Sequence, residues 1–344
     1  MTPAPRVSVI IRSYNRHRAL CQLLHAVLEQ DFQDFEIVVV EQSTRRDPDA
    51  ADELAALERD PRVRFLRHPP LGGPRARNIG ARAARGEILV LMDDDDLPGD
   101  AGWLGAHLAN FSDPDCVAVT GRWIPEIPTG RPPYRDMEKA RRNVLTYVPL
   151  LMYQRVYAAA DRRRVVHGIH GGNVSIRRAA LARFGLWDEC TSVEDELSLC
   201  YRYLRRRRPH EHAIFDPEAV MIRRVDIPGG MDKRYQGVLR YGWRHFEFLH
   251  NIIGHYFPIR FVLLYPAYAV LLWVLMLDSL WGDLQIRGFA GARRLAVTVA
   301  LTLGFPLLWL RWLARLLVKR AREGAPRHEP ELDPPTRGFA RTPG

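Results

Sequence analysis

Short apolar runs alternate with helical stripes at the start of the chain, and this alternation limits the possible fold more than any other feature. Residues 7–11, 35–40 and 87–92 are rich in Val, Ile and Leu, as buried parallel strands are. Residues 17–30 carry leucines at helical spacing. Strands that alternate with helices in this way predict an α/β domain with a parallel sheet. The same pattern predicts further helices near 50–59 and 74–85 and a strand at 63–66.

Three of the predicted strands end in polar residues. Ser13 and Tyr14 follow the first strand, Glu41 ends the second, and four consecutive aspartates occupy 93–96, directly after the strand at 87–92. Parallel sheets bind their ligands beyond the carboxyl ends of the strands. We therefore expect the three polar clusters to line one crevice.

The aspartate run favours a divalent cation. Neighbouring carboxylates repel one another unless a cation is present, and Mg²⁺ and Mn²⁺ prefer such oxygen ligands together with phosphates. Arg75 and Arg77 lie in the glycine-containing segment 72–80 and can form paired hydrogen bonds with phosphate oxygens. These residues together indicate a metal-bridged diphosphate. A solvated acidic loop and helix-surface arginines are the alternatives.

The composition excludes several classes of protein. Apolar residues make up 47% of the 344 residues and charged residues 26%, so a wholly disordered or fibrous chain is excluded. The 4 cysteines form no CxxC pair, which argues against a zinc ribbon or a disulfide scaffold and suits a reducing compartment. The net charge of +10 suggests anionic partners, namely nucleotides, nucleic acid or lipid headgroups.

Several motifs follow one another in a characteristic order. They are a strand and loop at 7–16, a second strand at 36–41, an Ala-Arg-Asn segment at 75–88, a DxD motif at 93–95, a Gly-Gly-Asn segment at 170–178 with a turn at 184–189, and a Glu-Asp motif at 193–195. In this order they resemble the family 2 glycosyltransferases of the GT-A fold. Arg12 stands where that family usually has a proline, and Glu41 where it has an aspartate. The resemblance implies a GT-A fold with a mostly parallel, Rossmann-like sheet.

The resemblance also implies a role for each matched residue. Glu41 is expected to bind the nucleobase, Asp93 the ribose and Asp95 the metal ion, Mg²⁺ or Mn²⁺. Asp195 is expected to be the general base that deprotonates the acceptor, and Glu194 to position the donor sugar or the acceptor. The other expected residues of the donor nucleotide site are Ser13, Tyr14, Arg77 and Asp94. The expected donor-sugar or acceptor site consists of Gly171, Gly172 and Asn173.

Two of these assignments leave alternatives open. By spacing alone, Glu194 and Asp195 are typical of an acidic helix N-terminus. Many relatives also place a late histidine near the metal ion, after a Pro-acidic-Ala-Val strand, whereas here Arg223 and Arg224 follow that strand. Either the ion then depends on Asp95 and the diphosphate, or an arginine takes over part of the role of the ion.

The C-terminal part of the chain predicts membrane attachment. Residues 236–256 carry apolar side chains on one helical face, which is typical of an interfacial helix. The uncharged runs 261–277 and 295–310 are of borderline length for a bilayer span, so we expect a two-helix membrane hairpin over 257–320. Helices lying in the interface and soluble core helices are the alternatives. Basic residues after the hairpin favour a cytoplasmic position for the catalytic domain. Residues 321–344 predict a disordered basic tail.

These expectations combine into one function. Residues 1–235 are expected to form the catalytic domain of an inverting glycosyltransferase at the cytoplasmic membrane. Its partners are a nucleotide-sugar donor, a glycan or lipid-linked acceptor and membrane lipids, with no nucleic acid. The alternatives are transfer to polyprenyl phosphate and a non-catalytic, membrane-bound sugar-binding protein. A nucleotidyltransferase is disfavoured, because residues 13–16 do not form a glycine-rich phosphate loop.

Overall fold

A mixed β-sheet organises the N-terminal two thirds of the chain. The computed structural model describes residues 4–126, 145–148, 153–156, 161–169, 171–191, 195–224, 227, 238–287, 292–324 and 328–332. The strands are β1 Val7–Ser13, β2 Phe35–Glu41, β3 Val63–Arg67, β4 Ile88–Asp93, β5 Asp96–Pro98, β6 Cys116–Glu126, β7 Leu145–Val148, β8 Tyr153–Val156, β9 Arg164–Val166, β10 Asn173–Arg177 and β11 His212–Arg224.

Helices cover the sheet and make up most of the C-terminal third. The helices are α1 His17–Leu28, α2 Ala51–Leu57, α3 Gly73–Ala83, α4 Trp103–Ala109, α5 Arg178–Phe184, α6 Asp195–Arg206, α7 Val238–Phe248, α8 Gly254–Tyr256, α9 Pro258–Leu263, α10 Tyr265–Arg287 and α11 Ala292–Glu323. A π-helical turn, Leu249–Ile253, joins α7 to α8. All elements predicted before residue 94 are present, with ends within two residues of those expected.

The sheet is parallel in one half and mixed in the other. Its strand order is β3-β2-β1-β4-β10-β6-β11-β5, with β9 paired to β11. β3, β2, β1 and β4 run parallel, whereas β10 is antiparallel to both β4 and β6. β5 and β9 run antiparallel to β11. The prediction of a mostly parallel sheet is therefore wrong for the second half, where right-handed βαβ crossovers no longer set the direction of each strand.

Apolar layers on both faces hold the sheet in place. On one face, Leu20 and Leu24 of α1 pack with Val9 and Ile11 of β1. On the other face, side chains of β4 and β10 such as Leu91 pack with the short helix α5. Because β1 runs parallel to both β2 and β4, the polar carboxyl ends of these three buried strands lie at one edge of the sheet.

The C-terminal helices form a separate apolar core. Trp243, Phe246, Leu249 and Ile253 are buried there, packed with side chains of α10 and α11 such as Tyr268. These four residues belong to the face that the sequence assigns to a membrane interface over 236–256. In the described residues the chain itself covers this face, although Leu239 remains exposed, and the membrane-interface position of 236–256 stays a prediction.

The membrane-spanning hairpin predicted over 257–320 is not supported. In the part of the chain that the structure describes, no helix is both long enough and apolar enough to cross a bilayer. The first apolar run is also interrupted, since α9 ends at Leu263 and α10 begins at Tyr265.

Part of the predicted disordered tail, 321–344, packs on the α/β domain. Helix α11 continues to Glu323, and residues 328–332 lie against the turn that follows α5. Leu332 is buried, and the Leu186 N–H donates to the Pro330 carbonyl oxygen at 2.8 Å. Instead of the expected disorder, this segment makes contacts through backbone atoms and through side chains such as Leu332 and Glu329, which composition does not reveal.

Candidate active site

Strand pairing brings an arginine and an aspartate together at the end of β1. Arg12 and Asp93 face each other directly in the parallel β1–β4 register. The Arg12 Nε and Nη2 atoms lie 2.6 and 3.0 Å from the two Asp93 carboxylate oxygens, so the pair is bidentate. The departure from the family pattern at position 12 thus places a cation beside the expected ribose ligand.

A second strand pair repeats this arrangement nearby. Arg223 of β11 lies opposite Asp96 of β5 in the antiparallel register. Its Nε and Nη2 atoms lie 2.7 and 2.8 Å from the Asp96 oxygens, and Nη2 also lies 3.3 Å from Asp93 Oδ2. The Arg16 Nη1 atom lies 2.9 Å from Asp94 Oδ1 and 3.0 Å from Asp95 Oδ2. Every carboxylate of the aspartate run therefore has an arginine partner.

Burial and charge act against each other on these aspartates. Burial opposes ionisation of Asp93, but Arg12, Arg77 and Arg223 outweigh it and hold the pKa of Asp93 well below its usual value. For Asp96, burial outweighs the Arg223 guanidinium, and its pKa is raised to about 7. Burial likewise raises the pKa of Asp94 to about 6, against the opposing charge of Arg16.

Asp94 connects the ends of two strands. Its Oδ2 atom accepts hydrogen bonds from the Ser13 hydroxyl at 2.9 Å and from the Tyr14 backbone N–H at 3.1 Å. Ser13 and Asp94 are both buried. The structure thus brings these three predicted donor-site residues together, but the Ser13 hydroxyl and the Asp94 carboxylate bond to each other. Their contribution is to shape the loop after β1.

Three of the aspartates are placed to hold a metal ion. Asp93, Asp95 and Asp96 each offer a carboxylate oxygen, and these atoms all lie within 4.8 Å of one another. A set of hard oxygen donors with this spacing fits Mg²⁺ or Mn²⁺, which complete their coordination with water and phosphate. Asp95 is therefore grouped with Asp93 and Asp96 as a candidate ligand.

The Gly-Gly pair allows the backbone to approach this cluster closely. A Cβ atom at Gly172 would lie 2.8 Å from Arg223 Nη2 and 3.2 Å from Asp96 Oδ2. A Cβ atom at Gly171 would collide with the Glu196 carboxylate. A side chain at either position would therefore displace the charged groups of the site.

The side chain of Asn173 has a structural function. Its Oδ1 atom accepts from Trp103 Nε1 at 3.0 Å and from His107 Nε2 at 2.8 Å. Its Nδ2 atom donates to the carbonyl oxygens of Arg122 and Ala219, each at 2.9 Å. An amide side chain has two donors and two acceptor lone pairs, so all four positions are filled. In this structure the side chain therefore has no spare hydrogen-bonding group, and the expected place of Asn173 in the donor-sugar or acceptor site stays a prediction.

An ion pair links the start of α6 to the aspartates. Arg77 is buried, and its Nη2 atom lies 3.3 Å from Glu196 Oε1 and 3.7 Å from Asp93 Oδ1. Asp195 is the first residue of α6 and precedes Glu196 directly. The backbone of Asp195 therefore lies next to the cluster. Glu194, together with His170 of the Gly-Gly-Asn segment, lies outside the described residues.

A cleft opens at the end of β2. It has a volume of about 400 Å³. Glu41 lines it, and its Oε1 atom accepts from the Ser43 N–H at 2.7 Å and lies 3.6 Å from His17 Nε2. The other lining residues are Thr44, Arg45, Arg46, Arg67, His68 and Pro69. The cleft combines one carboxylate with several cations beside the carboxyl end of the sheet.

Sequence reasoning missed three contributors to the site. Arg16 bridges two aspartates, Glu196 pairs with Arg77, and His107 helps to fix Asn173. For Glu196, the available signal was its position directly after the Glu-Asp motif. For Arg16 and His107 the signal is spatial, because their partners lie 66 to 79 residues away in the chain.

Comparison with known proteins agrees with this geometry. The family model of Glycosyl transferase family 2 matches residues 8–185, just over half of the 344 residues. The uncharacterized glycosyltransferase EpsJ of Bacillus subtilis is 34% identical over 99 residues, which are 28% of each chain. A GalNAc(5)-diNAcBac-PP-undecaprenol beta-1,3-glucosyltransferase of Campylobacter jejuni is 31% identical over 93 residues, 27% of this chain and 30% of that protein. The matched stretch thus spans less than a third of these two relatives.

One solved structure covers most of both chains. The mannosyltransferase PcManGT of Pyrobaculum calidifontis, in complex with GDP-Man and Mn²⁺, aligns with 94% of this chain and 89% of its own. The TM-score is 0.51 and the sequence identity 21%. The likeness concerns the fold, which is an α/β fold of the GT-A type with a mixed sheet.

Proposed function

The chain belongs to glycosyltransferase family 2, and on that premise we propose that it is an inverting glycosyltransferase. It transfers a sugar from a nucleotide-diphosphate sugar to an acceptor hydroxyl or phosphate. The observation that carries this proposal is the meeting of two features at one edge of the sheet. These are the cleft beside Glu41 and the arginine-paired aspartates 93–96.

The donor is proposed to lie across these two features. The nucleobase enters the cleft, where Glu41 accepts a hydrogen bond from it. The diphosphate lies over the aspartates, whose arginine partners Arg12, Arg16 and Arg223 offset their negative charge. The complex of PcManGT with GDP-Man supports a nucleotide-diphosphate sugar as the class of donor.

A divalent ion fits the same position. Asp93, Asp95 and Asp96 supply oxygen donors within 4.8 Å of one another, and Mn²⁺ is present in the PcManGT complex. When bound, Mg²⁺ or Mn²⁺ stabilises the charge that develops on the leaving diphosphate. Among the three, Asp95 is proposed as the principal ligand.

Asp195 is proposed to be the general base. The Arg77–Glu196 ion pair, one residue after Asp195 in the first turn of α6 and close to Asp93, supports this assignment. Asp195 takes the proton of the attacking acceptor, Glu194 positions the acceptor or the donor sugar, and the nucleotide diphosphate leaves from the opposite face of the sugar. A single displacement inverts the anomeric configuration.

The acceptor is proposed to be a lipid-linked or envelope glycan at the cytoplasmic face of a membrane. The described C-terminal helices expose apolar side chains at helical spacing, including Ile259, Val262 and Leu263 on α9 and Leu303 and Leu307 on α11. A large exposed apolar surface of this kind is typical of contact with a membrane or a protein partner. The undecaprenol-linked substrate in the name of the Campylobacter relative supports the lipid choice.

The decisive experiment is a donor panel with the full chain. Purified protein is incubated with nucleotide sugars and Mn²⁺, and release of nucleoside diphosphate is measured with and without a lipid-linked acceptor extract. We expect acceptor-stimulated release from one donor. Donor binding without release would favour the non-catalytic sugar-binding protein, and glycosylation of polyprenyl phosphate alone would favour the polyprenyl-phosphate enzyme.

A further inference from the structure

The Arg223 guanidinium is built into the aspartate cluster. It is bidentate to Asp96 at 2.7 and 2.8 Å and lies 3.3 Å from Asp93 Oδ2. Its Cζ atom lies 5.3 Å from the centre of the Trp123 ring. Arg223 and Asp96 are both buried, and Gly172 packs directly on the guanidinium.

These contacts bear on two of the three candidate metal ligands. A carboxylate that turned from Arg223 to a metal ion would weaken the pairing of a buried guanidinium, which is costly. Asp95 differs from the other two, because in the described residues it makes no ion pair with Arg223 and contacts Arg16 instead, at 3.0 Å. The cluster therefore has one carboxylate that an ion can engage without breaking the Arg223 contacts.

We propose that Arg223 is a permanent cation of the donor site, which keeps Asp93 and Asp96 and leaves Asp95 as the aspartate that binds Mg²⁺ or Mn²⁺. The guanidinium then pairs with the two carboxylates that would otherwise be the second and third ligands of the ion. The protein without donor consequently binds the ion weakly, and the donor diphosphate supplies the missing oxygens. This inference deepens the metal site of the proposed function.

The test measures Mn²⁺ binding to the full chain without donor or acceptor, by the electron paramagnetic resonance signal of free Mn²⁺. Arg223→Gln should tighten Mn²⁺ binding by at least about tenfold, because a unit positive charge is removed within a few ångströms of the ion. Arg224→Gln is the matched control. It removes the same charge one residue away, where the side chain contacts Gln22, the Ala19 carbonyl and the Asp94 carbonyl instead of the carboxylates. We expect less than about a threefold change there.

A second variant covers the case in which Arg223→Gln does not fold, as judged by circular dichroism. Asp96→Asn should weaken Mn²⁺ binding by no more than about tenfold, which is the effect of its charge alone, whereas Asp95→Asn should weaken it by about 10²-fold or more because a ligand is lost as well. Equal losses in the two variants would make Asp96 a metal ligand and overturn the proposal. Equal Mn²⁺ affinities of Arg223→Gln and Arg224→Gln would overturn it as well. Because no sugar transfer is measured, a failure of the donor panel leaves this test intact.

Discussion

Arg202 on α6 and Asp188 in the turn after α5 form a buried ion pair, with Nη1 and Oδ2 at 3.0 Å. The Tyr256 hydroxyl donates to the same Asp188 oxygen at 2.8 Å, and the Glu329 N–H donates to Asp188 Oδ1 at 2.7 Å. One carboxylate thus connects the catalytic domain, the C-terminal helices and the tail segment 328–332.

Breaking this pair should destabilise the protein strongly. Arg202→Met leaves a buried carboxylate without its guanidinium partner, and we expect the free energy of unfolding to fall by about 3–5 kcal/mol. Urea-induced unfolding followed by tryptophan fluorescence measures it. Arg67→Met is the control, since it breaks an exposed pair with Glu58 and should cost less than about 1 kcal/mol. Equal losses of unfolding free energy in the two variants would show that the Arg202–Asp188 ion pair contributes little to stability.

The first half of the sheet could be predicted from the sequence, whereas the second half could not. Strands β1, β2 and β4 are nearly continuous apolar runs with a helix after each. The hydrophobic period and the right-handed crossover connections therefore determine their order. The pairing of Arg223 with Asp96 joins residues 127 positions apart through a strand of 3 residues. No local pattern marks such a contact.

The candidate site shows the same division. The motifs identified Asp93, Asp95 and Arg77. The side-chain partners of Asp94 and Asn173, however, depend on how individual buried side chains are oriented. In the C-terminal region, an amphipathic stripe indicates that one face is covered, without showing whether lipid or protein covers it. Here side chains of α10 and α11 cover the stripe on α7.

Loss of the Asp95 carboxylate should remove the effect of the metal ion on turnover. Asp95→Asn keeps the size of the side chain but weakens the ligand, so we expect donor turnover with Mn²⁺ to fall on the order of 10²-fold. The residual rate should equal that of the unaltered protein in EDTA and should not respond to added Mn²⁺. Asp115→Asn, at an exposed carboxylate, is the control. Full activity of Asp95→Asn would exclude this residue from metal binding.

The general base should be separable from donor binding. Asp195→Asn should bind the nucleotide-sugar donor with unchanged affinity and lose about 10² to 10⁴ in the rate of transfer, because the acceptor proton has no destination. Donor affinity is measured by titration calorimetry and transfer by product formation. Nuclear magnetic resonance of the product should show the anomeric configuration opposite to that of the donor. A product that retains the configuration would refute the single displacement.

The exposed apolar face of α11 should mediate vesicle binding. Leu303 and Leu307 are 78% and 74% exposed and lie one helical turn apart. Replacing both with Glu should reduce co-sedimentation with vesicles containing anionic lipid by about 10²-fold, since two apolar side chains no longer enter the bilayer surface. Val165→Glu is the matched control, as Val165 is an exposed apolar residue of the catalytic domain. If the double variant co-sediments with vesicles as well as the unaltered protein does, this face does not contact lipid.

His107 should make stability depend on pH in the acidic range. Its Nε2–H donates to Asn173 Oδ1 at 2.8 Å, since the Asn173 Nδ2 atom already donates to two carbonyl oxygens. Its Nδ1 atom lies 2.9 Å from the Ser175 hydroxyl, which can donate to it when the ring is neutral. Burial lowers the pKa of His107 to about 4, while the hydrogen bond to Asn173 opposes this shift. The unfolded chain binds a proton near pH 6.5, well before the folded protein does. Stability therefore falls as the pH drops from 6.5 to 4, by up to about 3 kcal/mol from this residue.

The variant His107→Gln isolates that contribution. Glutamine can donate to Asn173 and accept from Ser175 but cannot take up a proton. We expect the variant to be less stable than the unaltered protein at pH 7, and the difference in the free energy of unfolding to shrink as the pH approaches 4. Urea unfolding at half-unit pH steps measures both curves. His25→Gln, at an exposed histidine, should run parallel to the unaltered protein. A constant difference between pH 7 and pH 4 for His107→Gln would show that His107 is not buried in its neutral form.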